Sequence, residues 1–273
     1  DLPKLTPKQR SVVDLLFDVN TASVSEICEL CSVGTSVLKN LEKYGVISIF
    51  DKEIYRNPYK NIEVNEPKKI ELTFEQSKAY DTYSNMLLNT GGSGLLYGVT
   101  GSGKTQVYLK LIDKALENDR DVIVLVPEIS LTPQVLSIFH ARYGDKVAVF
   151  HSGLSLGERN DEYKRADRGE AKIVIGTRSA VFAPLHNLGL IIMDEEQENT
   201  YKSERTPKYN TKDVAHFRCK YNKALFLMTS ATPSLETYSN ALKGKYVLCE
   251  LIERFGDAKL PHVITVDMKQ EMK

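Results

Sequence analysis

The octapeptide Gly98-Val99-Thr100-Gly101-Ser102-Gly103-Lys104-Thr105 constrains this chain more than any other feature. It meets the pattern G-x-x-x-x-G-K-[ST] at every fixed position. Gly94-Leu95-Leu96-Tyr97 reads as a short buried strand before it, and Gln106-Val107-Tyr108-Leu109-Lys110-Leu111-Ile112 as a helix after it. In that order, the glycines let consecutive backbone N–H groups turn inward around an anion, and the helix start adds its positive dipole end. Lys104 can reach the β- and γ-phosphates, and Thr105 can place its hydroxyl on Mg²⁺. A glycine-rich turn that matched by accident would lack this strand–loop–helix context. The pattern predicts nucleoside triphosphate binding, with Gly98, Thr100, Gly101, Ser102, Gly103, Lys104 and Thr105 as the candidate cradle.

The segment before residue 66 reads as a unit of its own. Thr6 is placed to cap a helix with Pro7 at its first position, and Val12, Val13, Leu15, Leu16 and Phe17 supply its apolar face. Ser25 is expected to cap a second helix carrying Ile27, Cys28 and Leu30. A third is expected from Thr35 to Lys43, with Val37, Leu38 and Leu41 inward and Gly45 as its stop. Two short strands, 46–50 and 53–56, would follow as a hairpin. Three helices with a tight second turn and then a hairpin is the winged-helix pattern. Residues 1–66 hold eight Lys/Arg against ten Asp/Glu, so any duplex contact must be local, at Lys39, Lys43 and Lys52. A packing or protein-interaction module is the alternative for this unit.

Beyond a polar linker, Asn65-Glu66-Pro67-Lys68-Lys69, apolar strand candidates alternate with helices at 95–97, 122–126, 147–150, 173–175, 190–193 and 225–228. Such βαβ units imply a parallel sheet, with ligands collecting at the carboxyl ends of its strands. The expected fold is therefore α/β, a lobe with a parallel sheet carrying the phosphate loop, preceded by a small winged-helix (α+β) domain. Expected domains are 1–66, 67–256, and 257–273 as the start of a connection to a further lobe.

Lysine plus arginine and aspartate plus glutamate both total 36, so bulk charge favours neither an anionic nor a cationic partner. No apolar run approaches the ~18 residues that span a bilayer. Cys28-x-x-Cys31 has metal-ligand spacing, but no second pair completes a tetrahedral site, and a reduced, half-buried pair on a helix is expected.

Leu190-Ile191-Ile192-Met193-Asp194-Glu195-Glu196-Gln197 is an apolar strand ending in acids. In a phosphate-loop protein an Asp so placed holds Mg²⁺, and a neighbouring Glu orients the attacking water and accepts its proton. Further blocks line up around these two. Leu72-Thr73-Phe74-Glu75-Gln76 precedes the phosphate loop, and Val126-Pro127-Glu128-Ile129-Ser130-Leu131-Thr132-Pro133-Gln134 follows the second strand. His151-Ser152-Gly153, Gly176-Thr177-Arg178-Ser179-Ala180 and Thr229-Ser230-Ala231-Thr232-Pro233-Ser234 complete the set. Together they resemble the first RecA-like lobe of a superfamily 2 helicase, and their wording is similar to that of the primosomal replication-restart helicases.

That resemblance spans the chain and implies roles at matching positions. Gln76 would read adenine. Lys104 and Thr105 would bind phosphate and Mg²⁺, Asp194 would hold Mg²⁺, and Glu195 would be the catalytic base. Ser230 and Thr232 would couple hydrolysis to DNA movement, while Glu128, Thr177 and Arg178 would line a single-strand track. ATP and Mg²⁺ are the implied cofactors; the family's zinc ligands have no counterpart among the four cysteines. Forked and single-stranded DNA, single-strand-binding protein and primosome or helicase-loader proteins are the implied partners, in the cytoplasm at the nucleoid and with no membrane. One departure is Gln197, where the family has His: an amide can still hydrogen-bond toward the motif carrying Thr232, but it does not carry a proton. The second RecA-like lobe, with its arginine finger, would lie outside this sequence.

Residues 198–209 lack apolar periodicity and read as a loop leading into a helix from Thr211, with Phe217 in the core. From Glu198 to Lys223 there are seven Lys/Arg against three Asp/Glu, interleaved with aromatics. Tyr201, Lys202 and Arg205 are the expected DNA contacts there, the ring stacking on an unpaired base and the cations engaging phosphate. The loop is also similar to the aromatic-rich loop that couples DNA to hydrolysis in this helicase family. The resemblance implies an ATP-dependent 3′-to-5′ DNA helicase of replication restart. The alternative is a DNA-structure-binding loading platform in which ATP is a switch.

Overall fold

The computed structural model describes residues 5–19, 22–50, 70–204 and 206–254. By its contacts the chain divides into two compact units, 1–54 and 55–273. The expected boundary at residue 66 and the tail from 257 lie outside the described residues.

The first unit is a small helical cluster of α1 (Pro7–Val19), α2 (Val24–Leu30) and α3 (Thr35–Lys43). Val12, Ile27, Val33, Leu38 and Leu41 form its centre. Three sequence expectations change here. The cap of α2 is Ser23, whose hydroxyl accepts from the Glu26 N–H while the Glu26 carboxylate accepts from the Ser23 N–H, a reciprocal box that Ser25 is too late to make. Phe17 is 83% exposed, because the stripe of α1 that faces the cluster runs through Val12 and the half-buried Leu15 and Leu16. Residues 46–50 form no strand. The Val46 N–H donates to the Leu41 carbonyl and the Ile49 N–H to the Glu42 carboxylate, tying the segment back to α3. The strand expected at 53–56 lies outside the described residues.

The second unit is a seven-stranded, wholly parallel sheet. Its strands are β1 (Gly92–Gly98), β2 (Asp121–Leu125), β3 (Val147–Phe150), β4 (Ile173–Gly176), β5 (Leu188–Met193), β6 (Leu225–Ser230) and β7 (Val247–Leu251). Their order is β3-β4-β2-β5-β6-β1-β7. β2, β5 and β6 are buried at every position, as strands covered on both faces must be. Alternate residues divide between two layers. Val122, Val124, Leu190, Ile192, Leu225 and Leu227 face one core, and Ile123, Leu125, Ile191, Met193, Phe226 and Met228 face the other. The first layer is closed by α4 (Phe74–Asn85), α5 (Lys104–Glu117) and α6 (Pro133–Tyr143). The second is closed by α7 (Leu156–Asp167), α8 (Thr211–Asn222) and α9 (Leu235–Leu242). This is the expected α/β phosphate-loop architecture, and it adds β7, which the sequence reading missed.

α4 packs against β1 at an unusually close approach. Tyr83 on α4 is fully enclosed, and its hydroxyl donates to the Leu95 carbonyl at 2.7 Å and lies 3.2 Å from the Val247 carbonyl. The ring occupies the place where a Cβ on Gly94 would stand. Because both ends of the tyrosine are fixed, it cannot yield. Gly94→Ala is expected to destabilise the lobe by about 1–3 kcal/mol through overpacking, read as a lowered urea midpoint. Adding Tyr83→Leu to it should recover part of that loss; a Gly94→Ala midpoint equal to wild type would show the ring to be mobile.

Candidate active site

With every strand parallel, the loops leaving β1, β2, β4, β5 and β6 open on one edge of the sheet. The phosphate loop follows β1, and the acids follow β5. β6 lies between them, so Thr229 and Ser230 stand between the loop and the acids.

The phosphate loop turns through Gly101 and Gly103, both in the left-handed region at φ +81° and +80°. Gly103 is the N-cap of α5 and brings no side-chain cap, whereas Thr73, Thr132, Ser155 and Ser234 cap α4, α6, α7 and α9 with their hydroxyls. Ser102 is buried and its Oγ has no hydrogen-bond partner. An uncapped helix start, a turn that a Cβ would strain and an orphaned hydroxyl are what a bound phosphate group requires. The residues present therefore fit a nucleotide.

Lys104 lies within the same loop. Its ammonium donates to the Gly98 carbonyl at 2.7 Å and to that of Val99 at 3.4 Å. Burial draws it below the ordinary lysine range, against the upward pull of Glu195 and Asp194. Thr100 and Thr105 are exposed at the loop. The buried Tyr108 hydroxyl bonds the Thr105 side chain, and burial together with the Asp194 charge holds that phenol protonated.

Asp194 accepts from the Thr229 hydroxyl and from the Glu195 N–H at 3.1 Å. Burial pushes its carboxyl up and Glu195 adds to this, while the Thr229 hydrogen bond and Lys104 oppose it. Glu195 adopts φ +46°, rare for a side chain with a Cβ and costing on the order of 1–3 kcal/mol. Its carboxylate accepts from Gln197 Nε2 at 2.9 Å, and Gln197 Oε1 accepts from Ser230 Oγ at 2.6 Å. Ser230 Oγ also accepts from the Thr232 N–H at 2.9 Å. An unbroken chain of bonds thus joins Glu195 to the segment carrying Thr232.

Two sequence expectations are corrected here. Gln76 does not present a spare amide for a base. It is 1% exposed, its Nε2 donates to the Ser102 carbonyl at 2.8 Å, and its Oε1 accepts from the Thr73 N–H at 3.0 Å. It therefore fastens α4 to the phosphate loop. Tyr201 is only 3% exposed, so its ring is not a stacking platform; its hydroxyl lies 2.6 Å from the Asp194 carbonyl and 3.0 Å from that of Leu125. The ring is buried because the chain after Glu198 folds straight back over the ends of β2 and β5.

The loop after the acids closes on itself. Lys202 pairs with Asn210, and the Ser203 N–H donates to the Tyr209 carbonyl at 2.8 Å. Arg178 spans to it, with Nη1 3.5 and 3.4 Å from the carbonyls of Thr200 and Lys202. Thr211 Oγ1 lies 2.8 Å from the Tyr201 carbonyl and 3.5 Å from that of Arg178. The segment bearing Thr177 and Arg178 and the loop bearing Tyr201 and Lys202 are thereby one body. Lys202, Glu128 and Thr232 are exposed, while Thr177 and Ser230 are buried. Arg205 lies outside the described residues. Phe217, expected in the core, is 71% exposed, because α8 faces the sheet with the small stripe Thr211, Ala215 and Cys219. Among the described residues no cluster of His, Cys, Asp and Glu could hold a metal by itself, and Cys28 and Cys31 are free thiols.

A model of the DEAD/DEAH box helicase family matches residues 75–241. The chain belongs to that family. Among its relatives, the replication restart protein PriA of Bacillus subtilis is 40% identical over 276 residues, which cover 100% of this chain and 34% of that protein. The PriA protein of Chlamydia muridarum is 42% identical over 270 residues, covering 98% of this chain and 36% of that protein. The chain thus spans about a third of the length of these relatives. In fold, it is similar to the structure of RecG bound to a three-way DNA junction, with a TM-score of 0.53 and 23% identity over 71% of this chain and 27% of that one. A DEAD/DEAH lobe implies nucleotide binding, and the cradle around Ser102 is where it would occur.

The raised Asp194 carboxyl has a consequence for stability. Its contribution is fully present below the ordinary aspartate value of about 3.9 and is lost as pH rises through the higher folded-state value. Above that window the buried charge is a cost. Asp194→Asn is therefore expected to raise the thermal midpoint of the nucleotide-free protein at neutral pH, with the gain shrinking as the pH is lowered toward 4. A variant less stable than wild type at neutral pH would contradict the burial argument.

Proposed function

We propose that this chain is the ATP-binding lobe, preceded by a winged-helix unit, of an ATP-dependent 3′-to-5′ DNA helicase acting in replication restart and primosome assembly. The observation that carries the reading is the bonded chain from Glu195 through Gln197 to Ser230 and the Thr232 backbone. It links a candidate catalytic base to a segment that need not touch nucleotide. In this reading 1–66 is the winged-helix domain, 67–256 the lobe and 257–273 the start of the connection onward. Forked and single-stranded DNA are the substrates. Single-strand-binding and primosome-loader proteins are the partners, in the cytoplasm at the nucleoid.

Thr105 and Asp194 are the residues that would hold Mg²⁺, whose chemistry there is to neutralise charge on the phosphate oxygens. Lys104 exchanges the Gly98 and Val99 carbonyls for phosphate oxygens, regaining stronger, charge-assisted bonds. The N–H groups at the start of α5 and Ser102 complete the cradle. Glu195 takes the proton from the attacking water, and the Gln197 amide holds its carboxylate in place. Thr229 orients Asp194. Arg178 and Lys202 offer cationic contacts to a strand backbone, with Arg205 three residues after Lys202 in sequence.

Two outcomes check this assignment. In the full-length protein, Lys104→Ala should weaken triphosphate binding, while Glu195→Gln should bind nucleotide nearly as wild type and abolish hydrolysis. Equal loss of binding in both variants would contradict the division of roles. This chain alone should turn over ATP very slowly, since an arginine from an opposing lobe is typically worth about 10³–10⁵ in rate. Brisk DNA-stimulated turnover by the chain alone would overturn that expectation. ATP-driven separation of forked strands by the full-length protein tests the helicase reading itself, and stimulated turnover without separation would favour the loading platform.

A further inference from the structure

The acid between Glu195 and Gln197 has no role in the chemistry above, yet its carboxylate accepts from four groups. The Glu196 side chain is wholly enclosed. It accepts from the Ser234 N–H at 2.7 Å, the Ser234 hydroxyl at 3.3 Å, the Thr237 hydroxyl at 3.0 Å and the Lys212 ammonium at 2.5 Å. Lys212 in turn donates to Thr237 Oγ1 at 2.8 Å. The Glu196 N–H donates to the Thr229 carbonyl at 3.1 Å. One residue thus joins the ends of β5 and β6, the first turn of α8 and the start of α9.

A buried ion pair is weak evidence for stability, because apolar residues of similar volume usually serve as well. Its position says more. Glu195 and Gln197 bond each other across the catalytic side, while Glu196 between them bonds the opposite side, toward α8 and α9. The left-handed backbone of Glu195 persists only where its neighbours fix it. Glu196 is the neighbour held by the most groups. Lys212 sits two residues beyond Asn210, where the loop pairs with Lys202, and directly after Thr211, which bonds the Tyr201 carbonyl. Any shift of the loop base therefore pulls on Glu196, and through it on the residues at either side.

We propose that Glu196 and Lys212 are a pair of positioning residues through which the pairing of Lys202 with Asn210 at the loop base sets the geometry of Glu195. The inference rests on the hydrolytic reading above and deepens it. Neither residue touches nucleotide or strand; the pair acts by holding the base where it works.

The test uses the full-length protein carrying this sequence, with single-stranded DNA as the stimulating ligand and steady-state ATP hydrolysis as the readout. Lys212→Met keeps the stem and removes the charge. It should lower DNA-stimulated kcat by about 10- to 100-fold, the scale expected when a catalytic group is misplaced. The KM for ATP and the affinity for a non-hydrolysable analogue should stay within about twofold of wild type. Lys212→Arg restores a cation and should recover most of kcat. Glu196→Gln keeps shape and acceptor oxygen and should fall between wild type and Lys212→Met. Thermal midpoints are recorded for all variants. The proposal is overturned if Lys212→Met retains wild-type kcat, or if kcat and nucleotide affinity fall together in step with the midpoint. It is overturned as well if Arg fails to rescue at a wild-type midpoint. Failure of the underlying reading looks different: wild type would then show no hydrolysis that Glu195→Gln abolishes, and both conclusions fall together.

Discussion

β5 and β6 run parallel and in register, with Met193 opposite Met228, and that pairing puts Asp194 beside Thr229 one residue later. The site grows from this contact. The Thr229 hydroxyl takes one Asp194 oxygen, the Thr229 carbonyl takes the Glu196 N–H, and Ser230 takes Gln197. Three of the four residues 194–197 are thus anchored by two residues of the next strand. Shifting β6 by a single residue would turn Thr229 into the opposite layer and undo all three contacts at once.

Much of this lobe was legible in its sequence because its strongest signals are local. The phosphate loop demands a strand before it and a helix after it, and both formed, with α5 beginning at Lys104. The apolar runs at 122–126, 147–150, 173–175, 190–193 and 225–228 became strands because runs this short, bounded by turn residues, suit a strand covered on both faces better than a helix. What escaped was non-local. β7 is an edge strand in which only Leu251 is fully buried, so its hydrophobic pattern is faint. Tyr201 sits among charges and read as exposed; only the folding of the chain back over Leu125 buries it. Phe217 misled in the other direction, since α8 lies so close to the sheet that small residues, not large ones, face inward. Glu196 and Lys212 are sixteen residues apart, and nothing in their spacing announces a pair.

The site also shows how polar groups are kept inside a close-packed lobe. Lys104, Gln76 and Glu196 are all buried, and each has its hydrogen-bonding capacity largely spoken for by backbone or neighbouring side chains. The Ser102 Oγ has no partner, and neither has Gln106 Oε1 in the first turn of α5. An unsatisfied hydroxyl on the phosphate loop marks where the protein has left bonding capacity for something outside itself. Asp194 extends the same logic to charge: the fold tolerates a carboxyl that burial disfavours because a cation is the group it suits.

The link between Glu195 and Ser230 is an amide, and an amide has a sense. Gln197 must offer its nitrogen to the carboxylate, which can only accept; reversed, an oxygen would face an oxygen and the bond to Glu195 would be lost. An imidazole in that place could change tautomer or gain a proton between roughly pH 5 and 8. Gln197 can do neither. The connection in this chain therefore reads in one direction only, and it reads the same way across the whole range of acidity in which a histidine would be changing its message.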